Sequence, residues 1–358
     1  MSNKDGMNYA PKGKPQPVVE AGTFVIAAAA LDHSHVYGMC NGLVEAGATL
    51  KWVWDSDPAK AEAFVRQYPE HKVQIADSLD TILNDSTVKL VASAAVPSER
   101  CALGLKVMDA GKDYFTDKAP LTTLAQLEAA KRKAAETGRK YAVYYSERLH
   151  NESAVFAGQL VEQGAIGRVI QTLGTGPHRE GAQGRPGWFY EKELFGGILC
   201  DIGSHQVEQF LYFTGNADAQ VVASQTRNFA HPQHPRFEDF GDAVLAGENG
   251  ATGYFRCDWF TPDGLSSWGD GRLTILGTEG YIEVRKYVDI TRGEQDVVYL
   301  VNKDGEVRHP VAGKVGFPFF GELVLDCVNR TENAMSQAHA FKAAELCIKA
   351  QMLANARP

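Results

Sequence analysis

The sequence predicts a two-part fold. An α/β segment with a doubly wound parallel sheet precedes an α+β segment whose large, mostly antiparallel sheet is covered by helices on one face. Three observations predict it. Over residues 24–144, short apolar runs alternate with helix-length segments that mostly end at glycine, the grammar of βαβ units feeding a parallel sheet. From Ala219 onward, runs of strand-forming residues meet at Glu248-Asn249-Gly250, Gly277-Thr278-Glu279-Gly280 and Lys303-Asp304-Gly305, which are hairpin turns. A chain of 358 residues is long enough for two domains, each with its own core.

In order, Phe24 to Ala30 is a continuous run of small and branched apolar residues, expected as a strand buried on both faces. A helix from His35 to Glu45 follows, with Asp32 or Ser34 as its cap and Gly47 as its stop; Thr49–Trp54 is the second strand, ending on Asp55. Helices over 58–68, 78–84, 100–110 and 124–137 then alternate with strands over 88–93, 113–116 and 140–144. After Arg148 come a helix over 152–163, a strand, and a Gly/Pro/Arg/Trp-rich loop from Gly174 to Gly197. One buried helix is expected to carry both Asp201 and His205, and two helices, over 317–328 and 332–353, close the chain. The domain boundaries read as an arm over 1–22, a first domain over 23–148 and a second over 149–358, the last helices being able to pack back on the first.

Composition narrows the function classes. The net charge of −8 is spread along the chain, and no basic cluster carries interleaved aromatics, so neither nucleic acid nor a membrane surface is expected as a partner. The six cysteines lie far apart without metal-binding spacing and read as buried thiols in a reducing compartment. The apolar run from Phe24 to Leu31 is too short to span a bilayer, and a cytoplasmic protein is expected.

Asp201 and His205 stand four residues apart and share a helix face. An acid there orients the imidazole and stabilises its protonated form, which suits a general acid/base; a structural Asp–His hydrogen bond is the alternative. Asp32, Asp55, Pro97, Lys118 and Arg148 fall at or just beyond strand carboxyl ends, where open α/β sheets bind ligands. Asp55 reads equally as an acceptor for ribose hydroxyls and as a turn residue. In the loop, His178, Arg179, Trp188 and Tyr190, with Arg148, combine aromatic platforms and donors suited to a sugar ring. Nothing but the Asp201–His205 spacing supports a metal at His178, Asp201 and His205, and none is expected.

Four segments, Asp55-Ser56-Asp57-Pro58-Ala59-Lys60-Ala61-Glu62-Ala63-Phe64, Gly111-Lys112 with Asp117-Lys118-Ala119-Pro120, Gly164-Ala165-Ile166-Gly167-Arg168-Val169, and Gly197 through His205, carry a likeness. They resemble the glucose–fructose oxidoreductase/inositol dehydrogenase/rhizopine-catabolism (Gfo/Idh/MocA) family. Leu276 to Gly280 resembles the family's late hairpin. The resemblance implies a Rossmann-like first domain, an NAD cofactor, a Lys/Asp/His centre at Lys118, Asp201 and His205, and association through the antiparallel sheet into a homodimer or homotetramer. The family's Glu-Lys-Pro becomes Asp117-Lys118-Ala119-Pro120. Where the family carries Gly-x-Gly-x-x-Gly, this chain has Ala30-Leu31-Asp32-His33-Ser34-His35 and no glycine. Leu31 to His35, Asp55, Pro97, Asp117 and Lys118 are therefore the expected cofactor contacts.

The activity expected is oxidation of a secondary hydroxyl on a sugar, glycoside or cyclitol, hydride passing to NAD and the proton to His205. Two rivals are a redox-neutral, NAD-using glycoside hydrolase or lyase and a non-catalytic sugar-binding or assembly subunit.

Overall fold

A computed structural model describes residues 12–356; residues 1–11 of the arm expected over 1–22 lie outside them. The first elements are β1 (Val25–Ala29), α1 (His35–Glu45), β2 (Thr49–Trp54), α2 (Pro58–Arg66), β3 (Gln74–Ile75), α3 (Leu79–Asn84), β4 (Val88–Ser93), α4 (Arg100–Asp109), β5 (Asp113–Asp117), α5 (Leu124–Thr137) and β6 (Tyr141–Tyr144). The six strands pair in parallel in the order β3-β2-β1-β4-β5-β6. The order reverses between β1 and β4, and such a switch point leaves a crevice at the strand carboxyl ends. Ile26 to Ala29 are fully buried, as a strand covered on both faces requires.

Local chemistry sets the helix starts. Asp57, Ser78 and Thr123 accept main-chain N–H bonds at the starts of α2, α3 and α5, the usual N-cap device. The first strand missed by sequence is β3, two residues long and exposed, with no apolar pattern to betray it. Where it is described, the arm is tied to α1 and the turn after it: Val18 N–H donates to Ala46 O at 2.9 Å, and Lys14 pairs with Glu45 at 3.0 Å.

The later elements are α6 (Ser146–Leu149), α7 (Glu152–Glu162), β7 (Val169–Pro177), α8 (Lys192–Phe195), α9 (Ile198–Asp201), α10 (Gly203–Thr214), β8 (Ala219–Arg227), β9 (Phe240–Gly247), β10 (Thr252–Asp258), β11 (Arg272–Gly277), β12 (Gly280–Arg285), β13 (Val297–Asn302), β14 (Gly305–Pro310), α11 (Pro318–Asn329) and α12 (Gln337–Asn355). Eight strands form one sheet, β14-β13-β12-β11-β7-β10-β9-β8, antiparallel except where β7 meets β10. The three expected hairpins join β9 to β10, β11 to β12 and β13 to β14. Alternation divides the faces: Leu273, Ile275, Ile282, Val284, Val298 and Leu300 turn inward onto Ala157, Leu160 and Phe213 from α7 and α10.

Residues 14–144 with 317–341 make one compact unit, and residues 145–316 with those from 342 onward make the other. The loop expected over 174–197 is shorter, because β7 runs to Pro177 and α8 occupies part of the remainder. The last helix starts at Gln337, later than expected, since Asp326 binds Thr331 and the N–H groups of Asn333 and Ala334 in a non-helical turn.

Candidate active site

In the first unit, the turn after β1 is built without glycine. Ala30 occupies the left-handed region at φ 56°, a conformation costing an L-residue about 1–2 kcal/mol. The next residues are tied down by side chains. Leu31 N–H donates to Asp55 Oδ2 at 2.6 Å, and Asp57 N–H donates to Asp55 Oδ1 at 2.8 Å. Asp55 thus braces the turn from the tip of β2. Asp32 pairs with Lys60 at 2.6 Å, which neutralises the charge it brings to the turn. Neither Asp32 nor Ser34 caps α1, contrary to expectation: Ser34 is the N-cap residue but makes no side-chain cap bond. His35 N–H is directed instead at Nδ1 of His33, 3.2 Å away.

His33 N–H reaches Ala94 O beyond β4 at 2.9 Å, which seats the turn across the switch point. There two imidazoles converge on Asp117, at the end of β5. His35 Nδ1 lies 2.8 Å from Oδ1 and His33 Nδ1 lies 3.4 Å from Oδ2. Arg100, buried at the start of α4, reaches Asp117 Oδ2 at 3.2 Å and also donates to the carbonyls of Ala95, Lys118 and Ala119. Burial pushes the Asp117 carboxyl up, but His35, Arg100 and His33 together hold it well below the usual carboxylate range. Lys118 is buried and follows directly; its peptide bond to Ala119, the residue inserted before Pro120, is cis. Pro97 is buried at the start of a single 3₁₀ turn.

In the second unit, the expected single helix is broken. Asp201 ends α9 and His205 lies in α10, with Ile202 between them. His205 N–H bonds Ile202 O at 3.2 Å, a tighter three-residue turn. Asp201 is 8% exposed and His205 2%, so the carboxylate and the imidazole both sit out of bulk water. Next to His205, Gln206 Nε2 donates to Glu147 Oε2 at 2.9 Å, and Lys286 Nζ donates to the same oxygen at 2.6 Å. Gly174 on β7 leaves room for this contact, since a Cβ there would lie 2.3 Å from Gln206 Oε1.

The substrate-side candidates are committed to packing. Arg148 donates to Glu208 at 2.6 Å and lies 4.0 Å over the Tyr212 ring. His178 meets the Trp268 ring edge-on at 4.4 Å. Arg179 braces the carbonyls of Pro262 and Leu265, both at 2.9 Å. Tyr190 donates to Glu180 at 2.8 Å and stacks on His234 at 3.9 Å, whereas Trp188 is partly open and touches Phe189. Sequence reasoning missed Arg100, Lys286 and His231. Only Arg100 had a signal, a cation opening a helix just past a strand end. His231 is held between Asp239 and Glu180, each at 2.9 Å; burial lowers its pKa, but the two carboxylates outweigh that and raise it.

Chemically, the first unit offers imidazoles, a cation and an ionised acid at the carboxyl ends of its strands. The second offers an enclosed acid and imidazole on adjoining helices. The comparisons agree with this division. Residues 27–145 match the oxidoreductase family with an NAD-binding Rossmann fold, and residues 155–283 match the Gfo/Idh/MocA C-terminal domain. A D-xylose dehydrogenase from Paenarthrobacter nicotinovorans is 34% identical over 151 residues, which is 40% of this chain and 39% of that protein. The scyllo-inositol 2-dehydrogenase (NADP(+)) IolW of Bacillus subtilis (strain 168) is 24% identical over 180 residues, 48% of this chain and 49% of its own. The matched stretch thus spans half or less of each of these two relatives. A crystal structure of an oxidoreductase-type protein from Erwinia carotovora atroseptica SCRI1043 superposes with a TM-score of 0.90 at 60% identity, covering 93% of this chain and 99% of that one. Levoglucosan dehydrogenase in complex with NADH and levoglucosan shares the fold, with a TM-score of 0.74 at 16% identity over 93% of this chain and 97% of its own.

Proposed function

The chain belongs to the Gfo/Idh/MocA oxidoreductase family, and on that footing we propose that it is an NAD(H)-dependent dehydrogenase oxidising a secondary hydroxyl of a sugar, glycoside or cyclitol. The observation that carries this reading is the buried Asp117-Lys118 pair at the carboxyl end of β5, beside the switch point where dinucleotides rest. The curated relatives named for xylose and scyllo-inositol support the substrate class.

The turn fits a dinucleotide in an altered way. Two N–H groups that a glycine turn would aim at pyrophosphate are taken, Leu31 by Asp55 and His33 by Ala94, so the imidazoles of His33 and His35 and the start of α1 become the donors. Asp55 is an acid at the position that accepts ribose hydroxyls, and it supports NAD over NADP. Hydride acceptance is the chemistry a nicotinamide supplies when bound. Lys118 provides a cation where alkoxide charge develops, and His205, assisted by Asp201, takes the hydroxyl proton. Arg148, His178, Arg179, Trp188 and Tyr190 shape the surroundings of the substrate.

One observation favours a second reading. The glycine-free turn, strained at Ala30, suits a sugar-binding subunit that holds no dinucleotide. An NADH absorbance screen over sugars, glycosides and cyclitols, with His205→Ala alongside, decides between them. Turnover that falls about 10²–10⁴-fold in the variant supports the dehydrogenase and its general base; sugar binding with neither dinucleotide binding nor turnover supports the subunit.

A further inference from the structure

The cluster that replaces the glycines has the composition of a metal site. Three ligand atoms, one each from His33, His35 and Asp117, lie within 4.8 Å of one another. The two imidazole-to-carboxylate separations are 2.8 and 3.4 Å. Around a zinc-sized ion with bonds of about 2.0–2.1 Å, tetrahedral ligand atoms sit roughly 3.3 Å apart. Closing this cluster on an ion brings ligand atoms now no more than 4.8 Å apart to that spacing, a change of at most about 1.5 Å in any pair. The two rings stand nearly perpendicular, at 78° with centroids 4.2 Å apart, so they approach a common point from different directions.

Both imidazoles face the ionised Asp117 carboxylate. The main-chain N–H of His35 is directed at His33 Nδ1, and because that nitrogen has one in-plane lone pair, a bound ion takes the place of this N–H. Arg100 completes the surroundings. Its guanidinium is shared among the Ala95, Lys118 and Ala119 carbonyls and only one carboxylate oxygen, an arrangement that orients Asp117 as outer partners orient metal ligands.

We propose that His33, His35 and Asp117 bind a zinc-class divalent cation through two imidazole nitrogens and a carboxylate, with open positions left for an anionic oxygen ligand. Two imidazoles and one carboxylate are a ligand set for late first-row ions rather than for magnesium or calcium. One carboxylate against a dication leaves a net positive charge, so the open positions favour an anion. At the turn assigned above to the dinucleotide, that anion is a phosphate oxygen; this last clause rests on the proposed function, whereas the metal site itself does not.

The test uses the full chain, stripped with a chelator and titrated with Zn²⁺ alone in the absence of dinucleotide, bound metal being counted by elemental mass spectrometry after dialysis. The expected result is about one equivalent bound, with affinity at least tenfold weaker in His33→Ala and in His35→Ala and unchanged in His71→Ala, an exposed histidine. Binding below a tenth of an equivalent, or equal binding by both turn variants, overturns the proposal. Should the turn variants fail to fold, Co²⁺ loaded into the unmodified protein gives an independent reading. Strong visible bands of four- or five-coordinate cobalt support the site, and the weak spectrum of an aquated ion overturns it. Neither readout needs turnover, so failure of the metal site and failure of the dehydrogenase reading are distinguishable.

Discussion

Lys286 Nζ lies 2.6 Å from Glu147 Oε2, with the two side chains 0% and 2% exposed. Gln206 donates to the same oxygen from α10, one residue beyond His205. The pair therefore ties β12's end and α6 to the helix that presents the proposed base. Removing one partner of an enclosed pair strands the other charge, at a cost of about 3–5 kcal/mol. Lys286→Met should lower stability by that amount in a denaturant titration. Glu147→Leu added to it should restore part of the loss, since no charge is then left uncompensated. A single variant as stable as the unmodified protein shows that the pair is solvated.

Asp55 offers a test of cofactor choice that separates its two roles. A 2′-phosphate is repelled by its carboxylate, so NAD should be preferred over NADP in side-by-side binding titrations, and Asp55→Ala should narrow the gap. Because Asp55 also accepts the Leu31 N–H, the same variant should lose roughly 1–3 kcal/mol of stability. NADP binding as tight as NAD in the unmodified protein refutes the assignment to the ribose.

His231 should make stability depend on pH in a stated direction. Its pKa is raised in the folded chain above the ordinary 6.5 by Asp239 and Glu180, which overcome the effect of burial. A group whose folded pKa is raised contributes stability fully below its unfolded pKa and loses it as pH rises through the folded value. The melting-temperature advantage of the unmodified protein over His231→Gln should therefore be largest below pH 6.5 and shrink as pH rises above it. A constant difference across that pH shows that the ring is held neutral.

Much of the fold was legible because periodicity and caps act locally. His35–Glu45, Thr49–Trp54 and Leu124–Thr137 stand where periodicity and the stops at Gly47 and Gly138 put them, although Ser34 makes no side-chain cap bond. The break at Ile202 was not legible, since its φ of −71° and ψ of −40° remain helical and only the hydrogen-bond register changes. Alternation puts Asp258 on the face of Tyr254 and Arg256, yet unlike them it is buried, at 2% exposure; Arg256, 3.1 Å away, and the turn N–H of Phe260 are its partners. The site was legible as residue types at strand ends. Which of them would be spent on bracing was not, because Arg148 and Arg179 find their partners 60 and more than 80 residues away.

The last prediction concerns assembly through the eight-stranded sheet. Its inner face is closed by α7 and α10, as Thr172, Gly174, Phe255, Leu273 and Ile282 show by their burial. The opposite face carries Leu173, Tyr254, Leu276 and Tyr281 at 44%, 40%, 38% and 41% exposure. Register places them together: Leu173 pairs with Tyr254, and Leu276 with Tyr281, while Thr274 links the two pairs as Leu173's neighbour on β11. Four large apolar side chains on one flat face, rimmed by Arg256, Glu283 and Arg285, have the composition of a subunit interface. We expect a homodimer or homotetramer of closed symmetry packed through this face. Light scattering on a dilute sample should give a multiple of 39.0 kDa, and Leu173→Glu with Tyr254→Lys should shift the mass toward the monomer while leaving circular dichroism unchanged. A stable monomer of the unmodified chain excludes the interface.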